Sequence, residues 1–541
     1  MISWINKLLG KKGKPYRPGE WKTDSSLFSF IKDNIDEQGK LKESARDLPD
    51  EKTVEDGNIR YSIGPGVLDS IFGANDSERS RSDVKELTKL LKRIAISGDE
   101  LIKIEFYQRA LSLDSVIGII DDLLDSVTVD RIQVKPYLFD FSKDLAFKTG
   151  QRNTVKLGLA LLGICQQKDV LDDIKLFGLH DEFTIFSVVA ISNISDDAVT
   201  DLWDLAKKVD GWGKIRTVEH LAKMELTSPI KDWLLTDGYK NYVMYEYLAY
   251  TCAVAGELHY ELEKETISEQ LFISAAEIID ALLSEGPAED ISVYDHASIA
   301  IVNFVRHAEN HSNMVLTFIV LNHIKEYLAE LGGSDAKITE NGWSEDVVSN
   351  CLIDIAAIIN NKDWQQVILS ALQSDDDVTY WKGKQAAKII GLDIWEIVWE
   401  KLKQNPSKYS LWRDIVMETK ADYVDEIVNM MIETFPLKEI STGPKDSFGF
   451  GADYEKHAAL ESMITFLGGY PGKGVAIILA GLNSPVTRNR NITLKTLYKW
   501  GENNWPDEVR LVLLELKKIE PDKDTKVHVA LLLAGKKPEL L

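Results

Sequence analysis

Apolar residues recur at helical spacing in three stretches of the chain, which read DEFTIFSVVAIS, GWGKIRTVEHLA and NYVMYEYLAYTC. The stretches begin at Asp181, Gly211 and Asn241, so each starts thirty residues after the one before. Similar side chains stand at their fifth, eighth and twelfth places: Ile185, Ile215 and Tyr245; Val188, Val218 and Leu248; Ser192, Ala222 and Cys252. These offsets mark one face of an α-helix. We predict that five of the apolar side chains are buried on equivalent helices: Ile185, Ile215, Val188, Val218 and Leu248.

A second helical pattern precedes two of these stretches. VTDLWDLAKK comes before Gly211 and PIKDWLLTDGY before Asn241, with Trp203 and Trp233 again thirty residues apart. Short helices that recur in pairs bury their apolar faces against the neighbouring pairs. Because strand patterns are nearly absent, the sequence predicts an all-α fold, a superhelix of helix pairs in which the two tryptophans pack between helices.

Changes in composition divide the chain into four parts. Residues 1–82 are rich in polar residues and turn signals, which predicts a flexible or loosely docked N-terminal arm. Helical periodicity begins at 83 and continues to 330, then lapses over 331–345, LGGSDAKITENGWSE, and resumes over 346–541. We therefore predict two sub-arrays of helical repeats, 83–330 and 346–541, joined by a linker.

The balance of charge limits the partners that the protein can bind. The 541 residues carry a formal net charge of -23, and nucleic-acid binding depends on clustered Lys and Arg. Nucleic acid is therefore not an expected partner. The three cysteines lie far apart in apolar helical patterns, which predicts buried thiols and a cytoplasmic protein.

The first 22 residues differ from the rest in the sign of their charge. They carry six Lys or Arg and one Glu, behind a short apolar set that begins with Ile2, Trp4 and Ile5. The sequence has neither a signal peptide nor an apolar run long enough for a transmembrane helix. Two interpretations of residues 1–22 stay open: weak contact with a membrane surface, or a terminal helix that packs on the body.

Three short blocks resemble bacterial proteins of the HEAT-like helical-repeat class: Gly211–Arg216, Trp233–Gly238, and Asn483–Pro485 with Arg488. The resemblance implies a HEAT-like solenoid, although thirty residues is shorter than the roughly 40–47 of a HEAT unit. The same blocks are similar to bacterial proteins named limonene hydroxylase. That similarity implies conversion of limonene to perillyl alcohol or carveol, an associated alcohol dehydrogenase activity, and use of NADH or NADPH. It supplies no catalytic motif.

The sequence lacks the usual motifs for oxygen or cofactor chemistry. Cys165, Cys252 and Cys351 lack the glycine-flanked loop of a thiolate-haem ligand, and no histidine has Glu three positions before it, as a di-iron bundle requires. The glycines at 64–66, 449–451 and 468–474 do not complete a dinucleotide or phosphate-binding motif. Catalytic and cofactor-binding residues therefore stay unassigned.

One histidine group has the spacing of a metal site. His307 and His311 are four residues apart and would face the same way on a helix, with His296 earlier on the same pattern. Glu309 lies on another face, so no third ligand is fixed by the pattern. We predict a hydrogen-bonded or solvated helix face here and no metal.

Two functions remain. The first is a cytoplasmic helical-repeat scaffold that binds a protein or peptide on its concave surface, because extended arrays form long grooves. The alternative is the limonene-oxidising enzyme that the resemblance implies, with a monoterpene as substrate. The sequence leaves open whether the protein is an enzyme.

Overall fold

The computed structural model describes residues 21–50, 54–56, 59–61, 78–113, 115–284, 286, 288–311, 313–332, 341–418, 421–447, 449 and 454–537. Helices account for most of this part of the chain, which confirms the predicted all-α fold. The strands that it contains are β1 (Val54–Asp56) and β2 (Ile59–Tyr61), which pair as a small antiparallel hairpin. None of the described helices is long and apolar enough to cross a membrane.

The α-helices follow one another along most of the chain, and the hairpin lies between the first and the second. In chain order they are α1 (Leu27–Asp33), α2 (Glu78–Ser97), α3 (Glu100–Leu111), α4 (Ile120–Val129), α5 (Leu138–Phe147), α6 (Arg152–Cys165), α7 (Leu171–Phe177), α8 (Thr184–Ile194), α9 (Ala198–Ala206), α10 (Gly211–Leu221), α11 (Ser228–Trp233), α12 (Glu246–Ala255), α13 (Leu258–Glu263), α14 (Glu269–Leu283), α15 (Ala297–Ala308), α16 (Val315–Gly332), α17 (Glu345–Asn360), α18 (Trp364–Gln373), α19 (Asp377–Ile389), α20 (Trp395–Gln404), α21 (Tyr409–Met417), α22 (Val424–Thr434), α23 (Leu437–Ile440), α24 (Glu455–Leu467), α25 (Val475–Leu482), α26 (Thr487–Trp500), α27 (Asp507–Ile519) and α28 (Lys523–Leu533).

The thirty-residue register places equivalent apolar residues inside the protein. Val188, Ile215, Val218 and Leu248 are all buried, and Ile185 is partly buried. They lie on α8, α10 and α12, which pack in sequence, each against the next. The predicted burial is therefore confirmed at four of the five positions, whereas Ile185 is buried only in part.

Hydrogen bonds between successive repeats also follow a spacing of about thirty residues. The Asp181 carboxylate accepts from the backbone N–H of Gly213, 32 residues away, and the Asp210 carboxylate accepts from that of Tyr242, also 32 residues away. Near the C-terminus, the Arg490 guanidinium donates to the Glu520 carboxylate across 30 residues. Polar contacts thus repeat the period that the apolar pattern predicts.

The chain forms two compact units that divide at Trp364. The first contains the described residues up to Trp364 except the hairpin, and the second contains the hairpin and the residues from Gln365 onward. This division lies later than the predicted linker at 331–345. Helix α17 belongs to the first unit because Val348, Cys351 and Ile355 are buried in its core. Residues 333–340 of that linker lie outside the described part.

Residues 21–50 form a docked N-terminal segment on the first unit. Trp21, Leu27, Ile31 and Leu48 are buried in the same hydrophobic core as helices α2 to α9. Trp21 is only 1% exposed. This part of the predicted arm is therefore fixed by apolar anchors. Residues 1–20, 51–53, 57–58 and 62–77 of the predicted arm lie outside the described residues. They include most of the segment 1–22 for which weak membrane contact was one interpretation.

Candidate functional site

The structure separates the three histidines that the sequence grouped. The Nε2 of buried His307 donates to the Leu262 carbonyl oxygen at 2.9 Å, whereas the ring of His311 stacks on Phe272 with centroids 4.4 Å apart. His296 stacks instead on His259, with ring centroids 3.8 Å apart. Among the described residues, no three His, Cys, Asp or Glu side chains come together as a metal-binding group.

The three cysteines lie in apolar helices, which bury their thiols wholly or in part. Cys252 and Cys351 are buried and Cys165 is partly buried. Burial raises the pKa of Cys165 and of Cys351 to about 12, and it raises the pKa of Cys252 as well. Neutral thiols are poor nucleophiles and poor metal ligands. These positions therefore serve packing.

A polar cluster joins the N-terminal segment to the starts of two repeats. We call Arg46, His180, Asp181 and Tyr242 the repeat-start cluster. The Arg46 guanidinium donates to the Tyr242 hydroxyl at 2.6 Å, and that hydroxyl donates to the Asp181 carboxylate at 3.2 Å. The His180 Nε2 donates to the Arg46 carbonyl oxygen at 3.1 Å. Each group is engaged by another, so the cluster fastens the segment to the repeats.

An ion-pair network continues this attachment one repeat earlier. The Arg152 guanidinium contacts the Asp50 carboxylate at 3.2 Å and the Glu182 carboxylate at 3.5 Å. Lys156, which is also buried, binds Glu182 at 2.5 Å. The charges are paired across the segment and two successive repeats, as buried charges must be. This arrangement fits a structural role.

Burial moves two neighbouring pKa values of the repeat-start cluster in opposite directions. It raises the pKa of Asp181 from 3.8 to about 6, against hydrogen bonds from Gly213 and Tyr242 that lower it. It lowers the pKa of His180 from 6.5 to about 4. Between pH 4 and 6 the folded state retains the Asp181 proton that the unfolded chain releases, so this carboxyl makes stability fall as pH rises. His180 has the opposite effect, because only the unfolded chain binds its proton.

Replacement of Asp181 by Asn is expected to remove the effect of Asp181 on the pH dependence of stability and to leave that of His180. In the D181N variant the free energy of unfolding should rise from pH 4 to pH 6.5 by about 2–3 kcal/mol more than in the unchanged protein, at about 1.4 kcal/mol per pKa unit. Urea unfolding at several pH values measures this difference. The exposed carboxyl of Asp204 provides the control, since D204N should leave the slope unchanged. Parallel curves for D181N and the unchanged protein would contradict the opposed titrations.

A groove in the second unit is large enough for a small ligand. Its volume is about 720 Å³, and it lies between α19, the loop before α20 and the end of α21. One wall carries Trp381, Gln385 and Lys388 from α19, and the other carries Met417 and Glu418 from the end of α21. The volume is that of an ordinary ligand cleft.

Two ion pairs join α19 to α21 and show how the two helices are oriented. Lys408 pairs with Asp377, 31 residues earlier, and Lys384 pairs with Asp414 at 2.7 Å, 30 residues later. Because both pairs have nearly the same offset, α19 and α21 run in the same direction. By the same offset of 30 residues, Lys388 near the end of α19 corresponds to Glu418, the residue that follows α21.

Several side chains of the groove have no bonding partner among the described residues. This is true of the Gln385 amide, the Lys388 ammonium and the Glu418 carboxylate, for which no hydrogen bond or ion pair is formed. Trp381 is 53% exposed and Met417 is 76% exposed. Exposed aromatic and methionine side chains are enriched in protein-binding surfaces.

Sequence reasoning missed this groove. Tyr380 and Trp381 are adjacent on α19, where about 100° of helix rotation separates their side chains. Tyr380 is buried and Trp381 is exposed. The adjacent aromatic pair Phe106 and Tyr107 on α3 is buried at both positions, so such a pair in the sequence does not by itself reveal a ring that faces outward.

Comparison of the chain with protein-family models, with curated proteins and with solved structures found no match.

Proposed function

We propose that the protein is a cytoplasmic helical-repeat scaffold that binds an extended peptide segment of a partner protein in the groove of the second unit. The observation that supports this proposal is the set of unpaired groups on the two walls. The Gln385 amide can donate to and accept from a peptide backbone at the same time. Trp381 and Met417 offer apolar surface to a side chain of the bound segment.

The length of the groove suits a short segment. Trp381 and Lys388 are seven residues apart on α19, which is about 10 Å along a helix. An extended peptide rises about 3.3 Å per residue, so about three residues fit between them. The mixed lining, with the charges of Lys388 and Glu418 on its walls, suits a peptide better than a hydrocarbon such as limonene.

Replacement of Trp381 by Ala is expected to weaken peptide binding about ten- to thirtyfold, because exposed aromatic anchors contribute most to such interfaces. The purified full-length protein is applied to an array of immobilised hexapeptides of varied sequence. The best binders are then synthesised, and their Kd values are measured by calorimetry for the unchanged protein and for W381A.

Tyr498 provides a matched control, because it is 41% exposed on α26 and does not line the groove. The Y498A variant should bind as the unchanged protein does, and circular dichroism should show both variants folded. Equal affinities of W381A and Y498A would place binding elsewhere. Product formation from limonene with NADH or NADPH by the pure protein, together with no bound peptide, would contradict the scaffold function and support the limonene-oxidising enzyme.

A further inference from the structure

We infer that the groove selects peptides in which an acidic and a basic side chain stand at neighbouring positions. This inference rests on the proposed peptide binding, and it names the chemistry of the partner. Lys388 on the α19 wall would bind the acidic side chain, and Glu418 on the α21 wall would bind the basic one.

The other charged side chains of the lining are already engaged. Lys384 and Asp414 form an ion pair at 2.7 Å, and the Asp393 carboxylate accepts from the Trp395 backbone N–H at 3.1 Å, at the start of α20. Lys388 and Glu418 are therefore left as one positive and one negative group, on opposite walls. A partner that leaves either of them unmatched gains less from binding.

The two charged walls favour a particular order of residues in a bound peptide, because of the geometry of an extended chain. Successive side chains of an extended peptide point to opposite sides. A residue that points towards Lys388 is thus followed by one that points towards Glu418. The matching peptide has Asp or Glu next to Lys or Arg, in either order, because the peptide can shift by one residue.

An apolar residue completes the motif. A side chain two positions from the acidic residue points to the same wall, about 7 Å along the peptide. This brings it within reach of the Trp381 indole, which lies about 10 Å from Lys388 along α19. We therefore expect an aromatic or aliphatic residue two positions from the acidic one.

Four peptides that differ only at the central pair test the inference: Glu-Lys, Glu-Glu, Lys-Lys and Gln-Gln, each with the same apolar residue. The unchanged protein should bind Glu-Lys about two- to fivefold more tightly than the other three, the range for an exposed ion pair. Charge reversal of a wall should change the preferred peptide. The K388E variant should prefer Lys-Lys, and the E418K variant should prefer Glu-Glu.

Lys517 on α27 is an exposed lysine outside the groove, so K517E controls for the change in net charge in K388E and should keep the Glu-Lys preference. Equal binding of all four peptides by the unchanged protein overturns the selectivity and leaves peptide binding intact. A uniform loss of affinity in K388E and E418K, with no change of preference, also overturns it. If none of the four binds, the proposed function fails together with the inference.

Discussion

Replacement of Arg490 by Met is expected to destabilise the second unit by about 3–5 kcal/mol, since removal of one partner leaves a buried charge uncompensated. Arg490 and Glu520 are both completely buried, and the guanidinium donates to the two carboxylate oxygens at 2.7 and 2.6 Å. It also donates to the Ser484 carbonyl oxygen at 2.9 Å. The loss is measured as the free energy of unfolding in urea.

The exposed pair of Arg510 and Glu502 provides the control, because its members lie 2.5 Å apart but are about half exposed. The R510M variant should lose less than about 1 kcal/mol. The double variant R490M/E520L should recover much of the loss, since it buries no charge. If R490M were no less stable than R510M, the buried pair would not hold these repeats together.

Replacement of Trp21 by Ala is expected to destabilise the first unit by about 3–5 kcal/mol, the usual cost of removing a buried aromatic side chain. The Trp21 ring packs against Tyr107 and Phe141, with centroids 5.5 and 6.0 Å away, and its Nε1 donates to the Glu100 carboxylate at 2.8 Å. Thermal unfolding measures the loss. Limited proteolysis should show that residues 21–50 become easier to cleave.

Tyr260 is a suitable control for this experiment, because it is 59% exposed in the same unit. The Y260A variant should remain within about 0.5 kcal/mol of the unchanged protein. A similarly small effect of W21A would support the loosely docked arm that the composition predicts, and would contradict the buried position of Trp21.

The repeats could be predicted from the sequence because their apolar side chains recur at a fixed spacing. Positions such as Val188 and Val218 lie in the same environment, since each repeat packs on a neighbour of similar shape. The edge of the repeat is less regular, and Ile185 is only partly buried. Periodicity therefore predicts the core better than its margin.

The docking of residues 21–50 could not be predicted from composition. This stretch is mostly polar, and its few apolar anchors, such as Leu27, Ile31 and Leu48, do not recur at the thirty-residue spacing. Their burial depends on a surface built by residues far along the chain. A composition average weights all positions equally, whereas docking depends on a few.

The candidate site was missed for a similar reason. The sequence directed attention to His307 and His311, whose spacing suits a metal, but a helix end separates their environments. The groove depends instead on Trp381 and Glu418, which belong to different helices. Local spacing cannot show that two helices leave a space between them.

The position of the docked N-terminal segment has a consequence for the order in which the chain folds. Contacts between repeats close loops of about thirty residues, which form early at small cost in chain entropy. By contrast, Trp21 bonds to Glu100 across 79 residues, Asp50 to Arg152 across 102, and Arg46 to Tyr242 across 196. This segment is synthesised before the helices that it contacts. We therefore expect it to reach its native place only after those helices have formed.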